Sequence, residues 1–319
     1  MRRILIAWLL TCAAGAARAD LIVMRNGDRI SGEILALAEG RLVVRTAYAG
    51  DISLVWSEVE SAESDRPLAV MLQGEPAPVL RRLHAGMDPG RVAYINPQPH
   101  ESGTGTTYTG RIALSANYAS GNAPSRRLYG DGELTARAAA YRYQLSGKVE
   151  HRAEPDTEAS SAWRASGNHD RFLGAARFVY ARGSLEHDSA KDLALRSSVG
   201  LGLGADVVQL VRATVSVRGG LDYVTERRDL GEDRDYPALG WGLKATYAPT
   251  TWLELFHEQD GLRDLSESGV VFHSKTGLRV PFTTALSATA QVNVDWESHP
   301  APGRKSTDST LLVGLSYAW

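Results

Sequence analysis

The residues best placed to do chemistry are charged side chains spaced two apart. Arg142, Gln144, Ser146, Lys148 and Glu150 take every second position of one segment. Arg212, Thr214, Ser216, Arg218, Gly220 and Asp222 do the same in another, and Thr289, Gln291, Asn293, Asp295 and Glu297 in a third. Period two is a strand with one polar face. Over all such segments the polar faces carry Arg111, Arg137, Arg142, Lys148, Arg152, Arg164, Arg182, Arg196, Arg212, Arg218, Lys244, Lys275 and Arg279. Against these bases stand Asp131, Glu133, Glu150, Glu186, Asp206, Asp222, Glu254, Glu258, Asp295 and Glu297. Gathered inside one closed sheet, they could line a narrow pore with a slight anion preference, or pair and plug it. The near balance of charge favours pairing. About twelve strands also enclose less room than the 16 to 18 that leave an aqueous channel.

Catalytic and metal chemistry finds less support. Ser166, Asn168 and His169 could in principle supply a hydrolase set. Ser166 and Asn168 fall on the polar face, however, while His169 reads as a turn residue at a strand end, and no G-x-S-x-G nucleophile motif occurs. No catalytic residue is assigned, and the chain is not expected to be an enzyme. The eight histidines show no ligand spacing. His151, His169, His187 and His257 lie near strand ends and read as interfacial side chains, so no metal or cofactor is expected. The run Asp229 to Asp235 has four acids that could bridge lipopolysaccharide through divalent ions. It lacks the spacing of a calcium loop and reads as a solvated loop. Gly110, Gly147, Gly219 and Gly314 precede no helix, so they form no phosphate loop and instead relieve crowding in a curved sheet.

The start of the chain indicates export. Arg2 and Arg3 precede a short apolar run, Ile4 to Leu10, and Ala17-Arg18-Ala19 provides a cleavage signal before Asp20. This predicts a secretory signal peptide over residues 1–19. Lipidation at the single cysteine, Cys12, is disfavoured because Thr11 sits where a smaller residue is usual. Cleavage after Ala19 leaves no cysteine, hence no disulfide, and 32 basic against 37 acidic residues. That mild acidity argues against a nucleic-acid partner. No run of about eighteen apolar residues follows, so helices do not span a membrane. The 31 glycines, 12 tyrosines and 7 tryptophans suit strands and interfacial belts.

Two β-regions follow. Residues 20–95 read as a small SH3-like β-domain of short strands: 21–24, 30–37, 42–46 and 52–56, with further apolar runs at 68–72, 79–83 and 92–95. Asn26-Gly27 predicts a hairpin with positive φ at both central positions. Residues 96–106 form a linker of Pro, Gly and polar residues. From 107 to 319 the spacing predicts twelve longer strands: 107–119, 127–139, 141–152, 160–169, 173–186, 193–206, 210–225, 236–248, 251–259, 269–280, 283–297 and 309–319. Connections after even-numbered strands are tight, at Ala140, Asp206 to Gln209, Ala248 to Thr250, and Pro281-Phe282. Connections after odd-numbered strands are long and hydrophilic, at Gly121 to Ser125, Thr225 to Asp235, Asp260 to Ser268, and Ser298 to Ser309. Short periplasmic turns, long outer loops and an apolar outer face together predict an all-β, closed, antiparallel barrel in the Gram-negative outer membrane, with the N-terminal domain in the periplasm. Tyr118, Trp241, Tyr247, Trp252, Trp296 and Trp319 are placed at the two membrane interfaces.

The chain ends Gly314-Leu315-Ser316-Tyr317-Ala318-Trp319, with Leu311, Val313, Leu315, Tyr317 and Trp319 on one face. This resembles the terminal-strand signal read by the barrel-assembly machinery, with Leu312 a small departure. Outer-membrane lipid and lipopolysaccharide would be the other partners. The start Leu21 to Ile34, the segment Tyr48 to Ile52, Gly200-Leu201-Gly202-Leu203-Gly204 and the terminal motif together resemble the YdiY-like family of salt-induced outer-membrane proteins. The resemblance implies fold, location and a link to osmotic conditions; its motifs are structural and imply no catalytic residue.

Overall fold

The computed structural model describes residues 19–119, 125–153, 159–267, 269–300 and 305–319. Residues 1–18, which hold most of the expected signal peptide and Cys12, lie outside it, as does most of the expected loop from Gly121 to Ser125. The chain forms two compact units that divide between Pro97 and Gln98.

The first unit is a small β-domain. Its strands are β1 (Asp20–Met24), β2 (Arg29–Ala38), β3 (Arg41–Thr46), β4 (Gly50–Val55), β5 (Val59–Glu63), β6 (Leu68–Leu72), β7 (Val79–Arg81) and β8 (Val92–Ile95). They form one sheet in the order β4-β3-β2-β8-β6-β7, with β1 paired to β2 and β5. Alternate residues face one core, and Ile22, Ile34, Leu42, Val44, Val59, Val70 and Ile95 are wholly buried there. Asp20 anchors the first strand. Its buried carboxylate accepts the backbone N–H of Ile34 at 2.8 Å and of Asp65 at 2.9 Å. β5 was not anticipated, because Val-Glu-Ser-Ala-Glu has only two apolar positions. The Asn26-Gly27 expectation needs correction: only Gly27 has positive φ, at 89°, and the Asn26 side chain accepts the Asp28 N–H instead. Positive φ at both turn positions occurs in the next hairpin, at Glu39 (50°) and Gly40 (73°).

The second unit is a closed barrel of twelve antiparallel strands, each paired with its sequence neighbours. They are β9 (Thr107–Ala119), β10 (Ser125–Arg137), β11 (Tyr141–Ala153), β12 (Ser160–Phe172), β13 (Arg177–Asp188), β14 (Leu193–Leu210), β15 (Ala213–Arg228), β16 (Arg234–Thr250), β17 (Leu253–Asp264), β18 (Val270–Pro281), β19 (Leu286–Glu297) and β20 (Thr307–Ala318). All twelve predicted strands are present. Several run further than expected at the end opposite the tight turns. β15 reaches Arg228 and β17 reaches Asp264, so two connections expected to be long shrink to 229–233 and 265–269. The connection at 189–192 is as short as the turns at 173–176 and 282–285. Charged residues were read as loop, but on a strand whose inner face is polar they simply continue the alternation.

The outer wall is apolar and the inside polar. Leu145, Val149, Val199, Leu201, Leu203, Leu221, Leu311 and Val313 are exposed on the outer face, while Asp170, Arg196, Asp222, Glu226 and Gln291 are buried within. Such an apolar band would be a liability in water, and lipid is the solvent it fits. Closure satisfies the backbone groups that lipid cannot. The barrel therefore spans the outer membrane with its strands. Aromatic rings mark the interfaces: Tyr141, Tyr143, Tyr247, Trp252, Tyr317 and Trp319 at the turn end, and Phe272 and Trp296, 5.7 Å apart, at the loop end. Trp241 is an exception to the expected placement. It lies mid-strand on the outer wall, its ring over Gly261, where a Cβ would come within 2.2 Å of it. The side chain of Tyr118 is outside the described residues.

The closing seam is the shortest ladder of the barrel. β20 and β9 share five residue pairs, from Gly314 with Ser115 to Ala318 with Arg111. Gly110 and Trp319 extend it with reciprocal backbone bonds of 3.1 and 3.0 Å.

Candidate functional site

The lumen gathers the charged residues that the alternation turns inward. At the turn end it is filled by aromatic rings and arginines. Phe172 and Phe178 pack at 5.4 Å between centroids. The Arg137 guanidinium stands 3.5 Å above the Phe172 ring, and that of Arg142 lies 4.8 Å from Phe178. Arg142 also donates to Asp170 on the adjacent strand (2.7 Å) and to Asp206 three strands away (3.0 Å). Above this layer the end of the Tyr180 ring packs against Gly202 and Gly220. A Cβ on Gly202 would meet the Tyr180 ring at 2.7 Å and the Gly219 carbonyl at 2.4 Å, so this close approach requires glycine.

The middle and loop-end layers are bridged from wall to wall. Lys244 on β16 donates to Glu133 on β10, the opposite strand of the ring, and Glu133 also accepts Arg111 at 3.1 Å. Arg164 on β12 reaches Asp260 on β17 at 2.6 Å. His273 on β18 stands between Glu186 on β13 (3.4 Å) and Asp295 on β19 (2.5 Å). Arg196 gathers Glu186 (3.3 Å), Glu226 (3.0 Å) and, five strands away, Glu297 (3.1 Å). Lys275 bridges Asp131 (3.4 Å) and Glu258 (3.2 Å). Between these struts is a cavity of about 130 Å³ bordered by Tyr129, Asp131, Lys148, Arg164, His273 and Asn293 among others. Attraction inside such a pair is largely offset by desolvation. The struts therefore matter less for stability than for the cross-section they occupy.

Most of the charged residues expected inside are there. Arg212 is not: it lies in the turn 211–212 and forms no ion pair among the described residues. Charged residues that sequence reasoning left out of the lumen include Asp170, Glu226, Arg228, Asp260, Asp264 and His273, most of them on strand ends read as loop. These four added carboxylates, against one added arginine and the loss of Arg212, remove the expected excess of positive charge. Alternation beyond the predicted ends was the signal available. An apolar cluster of Val224, Tyr236, Ala238 and Leu262 inside the loop end was also missed.

The hydrolase set does not assemble. Ser166 faces the lumen and shares a 2.7 Å hydrogen bond with Ser146. His169 is no turn residue: it lies within β12 on the outer wall, packed against Tyr143 at 4.6 Å and Tyr141 at 5.6 Å. A strand places successive side chains on opposite faces, so its imidazole and the lumenal Ser166 and Asn168 are separated by the wall. Among the described residues no cluster of three or more His, Cys, Asp or Glu could hold a metal. In the acidic loop, Asp233 and Asp235 pair with Arg227.

A search of curated protein sequences gave no match. Among solved structures the chain is similar to the NanC porin (10% identity, 66% of this chain and 98% of that one, TM-score 0.42). It is also similar to the KdgM porin (14%, 67% and 99%, TM-score 0.36) and to the translocator domain of the autotransporter NalP from Neisseria meningitidis (16%, 67% and 88%, TM-score 0.36). Scores this low add nothing to what the strand pairing establishes. The profile of one family, described as "Protein of unknown function, DUF481", matches residues 112–319. The match begins inside β9 and leaves the N-terminal unit outside, although the sequence resemblance extended over both. Covering well over half of the chain, it makes this protein a member of the DUF481 family, the YdiY-like outer-membrane barrels.

Proposed function

We propose that this outer-membrane barrel works as a closed wall element of the cell envelope, with no catalytic role, rather than as an open diffusion pore. One observation carries the reading: Lys244 and Glu133 join opposite walls, and Arg164–Asp260 and Arg196–Glu297 cross the lumen at other levels. A hydrated ion would have to part these pairs, and at the most enclosed of them, Arg196–Glu297, with side chains 5% and 12% exposed, little water is at hand to replace the lost partner. The tight turns face the periplasm in this reading, as in outer-membrane barrels generally. The signal peptide exports the chain, the domain at residues 20–95 sits in the periplasm, and the strand ending at Trp319 addresses the barrel-assembly machinery. The family resemblance adds a role under salt or osmotic stress.

The test is conductance in planar bilayers. The native protein is expected to show no steps above membrane leak. Lys244→Ser combined with Arg164→Ser, which cuts two struts, is expected to conduct. Ohmic conductance of the native barrel would overturn the closed reading. A second reading, a narrow gated channel, rests on the cavity between Asp131, Lys148 and Arg164. It predicts rare voltage-dependent openings in the native protein, which the same recording would show.

A further inference from the structure

The outer wall of the barrel carries an unbalanced group of cations at one end. Arg171 on β12 and Arg177 on β13 are exposed, and both alternate with deeply buried neighbours, Asp170 and Phe178, so they point away from the lumen. Arg171 pairs in register with Val179, and Arg177 lies two residues nearer the turn on that strand. Both are therefore within about 7 Å along the strand at one level of the wall. Neither forms an ion pair among the described residues. The inward-facing acids of this end, Asp170 and Asp206, are taken by Arg142.

The side chains around the two arginines are those of a membrane interface. The Arg171 guanidinium stands 5.7 Å from the Tyr141 ring. His169 packs against Tyr143 and Tyr141, and its buried Nδ1 has no hydrogen-bond partner. The remaining turn-end belt, through Tyr247, Trp252, Phe282, Tyr317 and Trp319, has aromatic rings and no charge on the outer face. Apart from Arg212 in the turn between β14 and β15, the outward positive charge of this end lies in the sector of β11 to β13, at the level where lipid headgroups meet the protein.

We propose that this sector is a binding site for an anionic phospholipid, whose phosphodiester lies between Arg171 and Arg177. Two guanidiniums can donate paired hydrogen bonds to one phosphate. The Tyr141 ring beside Arg171 supplies the apolar and hydroxyl surface that a glycerol backbone would meet. The choice of a phospholipid over lipid A rests on the orientation proposed above, since turns facing the periplasm put the sector in the inner leaflet.

Native mass spectrometry of the detergent-solubilised full chain tests it, with phosphatidylglycerol, phosphatidylcholine and lipid A offered separately. Native protein is expected to retain phosphatidylglycerol in preference to phosphatidylcholine. Arg171→Gln with Arg177→Gln should weaken that retention by roughly thirtyfold, given about fivefold per cation. Arg171→Lys with Arg177→Lys should keep most of it. Heat-shifted mobility on a gel shows that each variant is folded. Equal retention of both phospholipids, or retention unchanged in the glutamine variant, overturns the site, and preference for lipid A overturns the phospholipid assignment. Orientation is checked separately by labelling a single cysteine at Gly174 in intact cells with an impermeant maleimide. Labelling there would refute the orientation while leaving the measured lipid preference standing.

Discussion

Replacing Arg196 by Met gives the sharpest test of a desolvated lumen. The Arg196 side chain is 5% exposed, and those of Glu186, Glu226 and Glu297 are 8%, 2% and 12% exposed. Methionine keeps the apolar stem and removes the charge, so the loss is electrostatic. Breaking a buried pair from one side costs about 3–5 kcal/mol, because the stranded charge has no water to return to. Here part of that is offset, since Arg228 still reaches Glu226 and Glu297, and His273 still reaches Glu186. The expected loss is therefore near the lower end, about 3 kcal/mol, or over a hundredfold in the folding equilibrium. Urea unfolding in detergent micelles, scored by the folded and unfolded bands on an unheated gel, measures it. Adding Glu226→Gln should recover a measurable part, because one stranded carboxylate is gone. A loss below about 1 kcal/mol, the size seen for exposed pairs, would mean that water screens these charges and that the closed lumen is wrong.

Other consequences are open to direct measurement. Gly202→Ala should destabilise the barrel by about 1–3 kcal/mol, since its Cβ would crowd the Gly219 carbonyl and the Tyr180 ring; an unfolding midpoint equal to that of the native protein would contradict this packing. Gly110→Val should impair assembly, because a side chain there would enter the Trp319 ring and force apart the shortest ladder; the fraction of heat-modifiable protein in the outer membrane reports it, and a native yield would count against the seam being limiting. Ser166→Ala should leave any lipid-hydrolysing activity of the preparation unchanged, and a loss of such activity would reopen the enzyme question. In the N-terminal domain, Glu75 accepts the Leu72 backbone N–H (2.8 Å) and the Arg81 guanidinium (2.7 Å), and these bonds hold its carboxylate below the ordinary 4.5. A lowered value stabilises the fold above the unfolded pKa, and that contribution is lost as pH falls through the folded one. Hydrogen exchange at the Leu72 amide should therefore quicken in acid beyond its intrinsic trend, and Glu75→Gln should abolish the excess.

Strand number, inside and outside, and membrane residence were legible in the sequence. Each follows from period two, a local property that any twelve-residue window displays. Leu201 and Leu203 between Gly200, Gly202 and Gly204 announce their faces without reference to the rest of the chain. The end motif at Trp319 and the family resemblance are likewise linear signals, and the family match over residues 112–319 agrees with them. Strand ends were less legible. Asp260, Asp264 and Glu226 look like loop residues until the inner face is known to be polar along its whole height.

The partners of the lumen charges were decided only by closure. Lys244 and Glu133 are 111 residues apart, and no pattern in either segment points to the other. They meet because twelve strands with a fixed register bring β16 opposite β10. The same holds for Arg196 with Glu297, and for the wall that parts His169 from Ser166. Sequence therefore determines which face each side chain takes, since that depends on neighbours two residues away. Which charge crosses to which depends on barrel circumference and stagger, quantities that belong to the closed sheet and to no single strand.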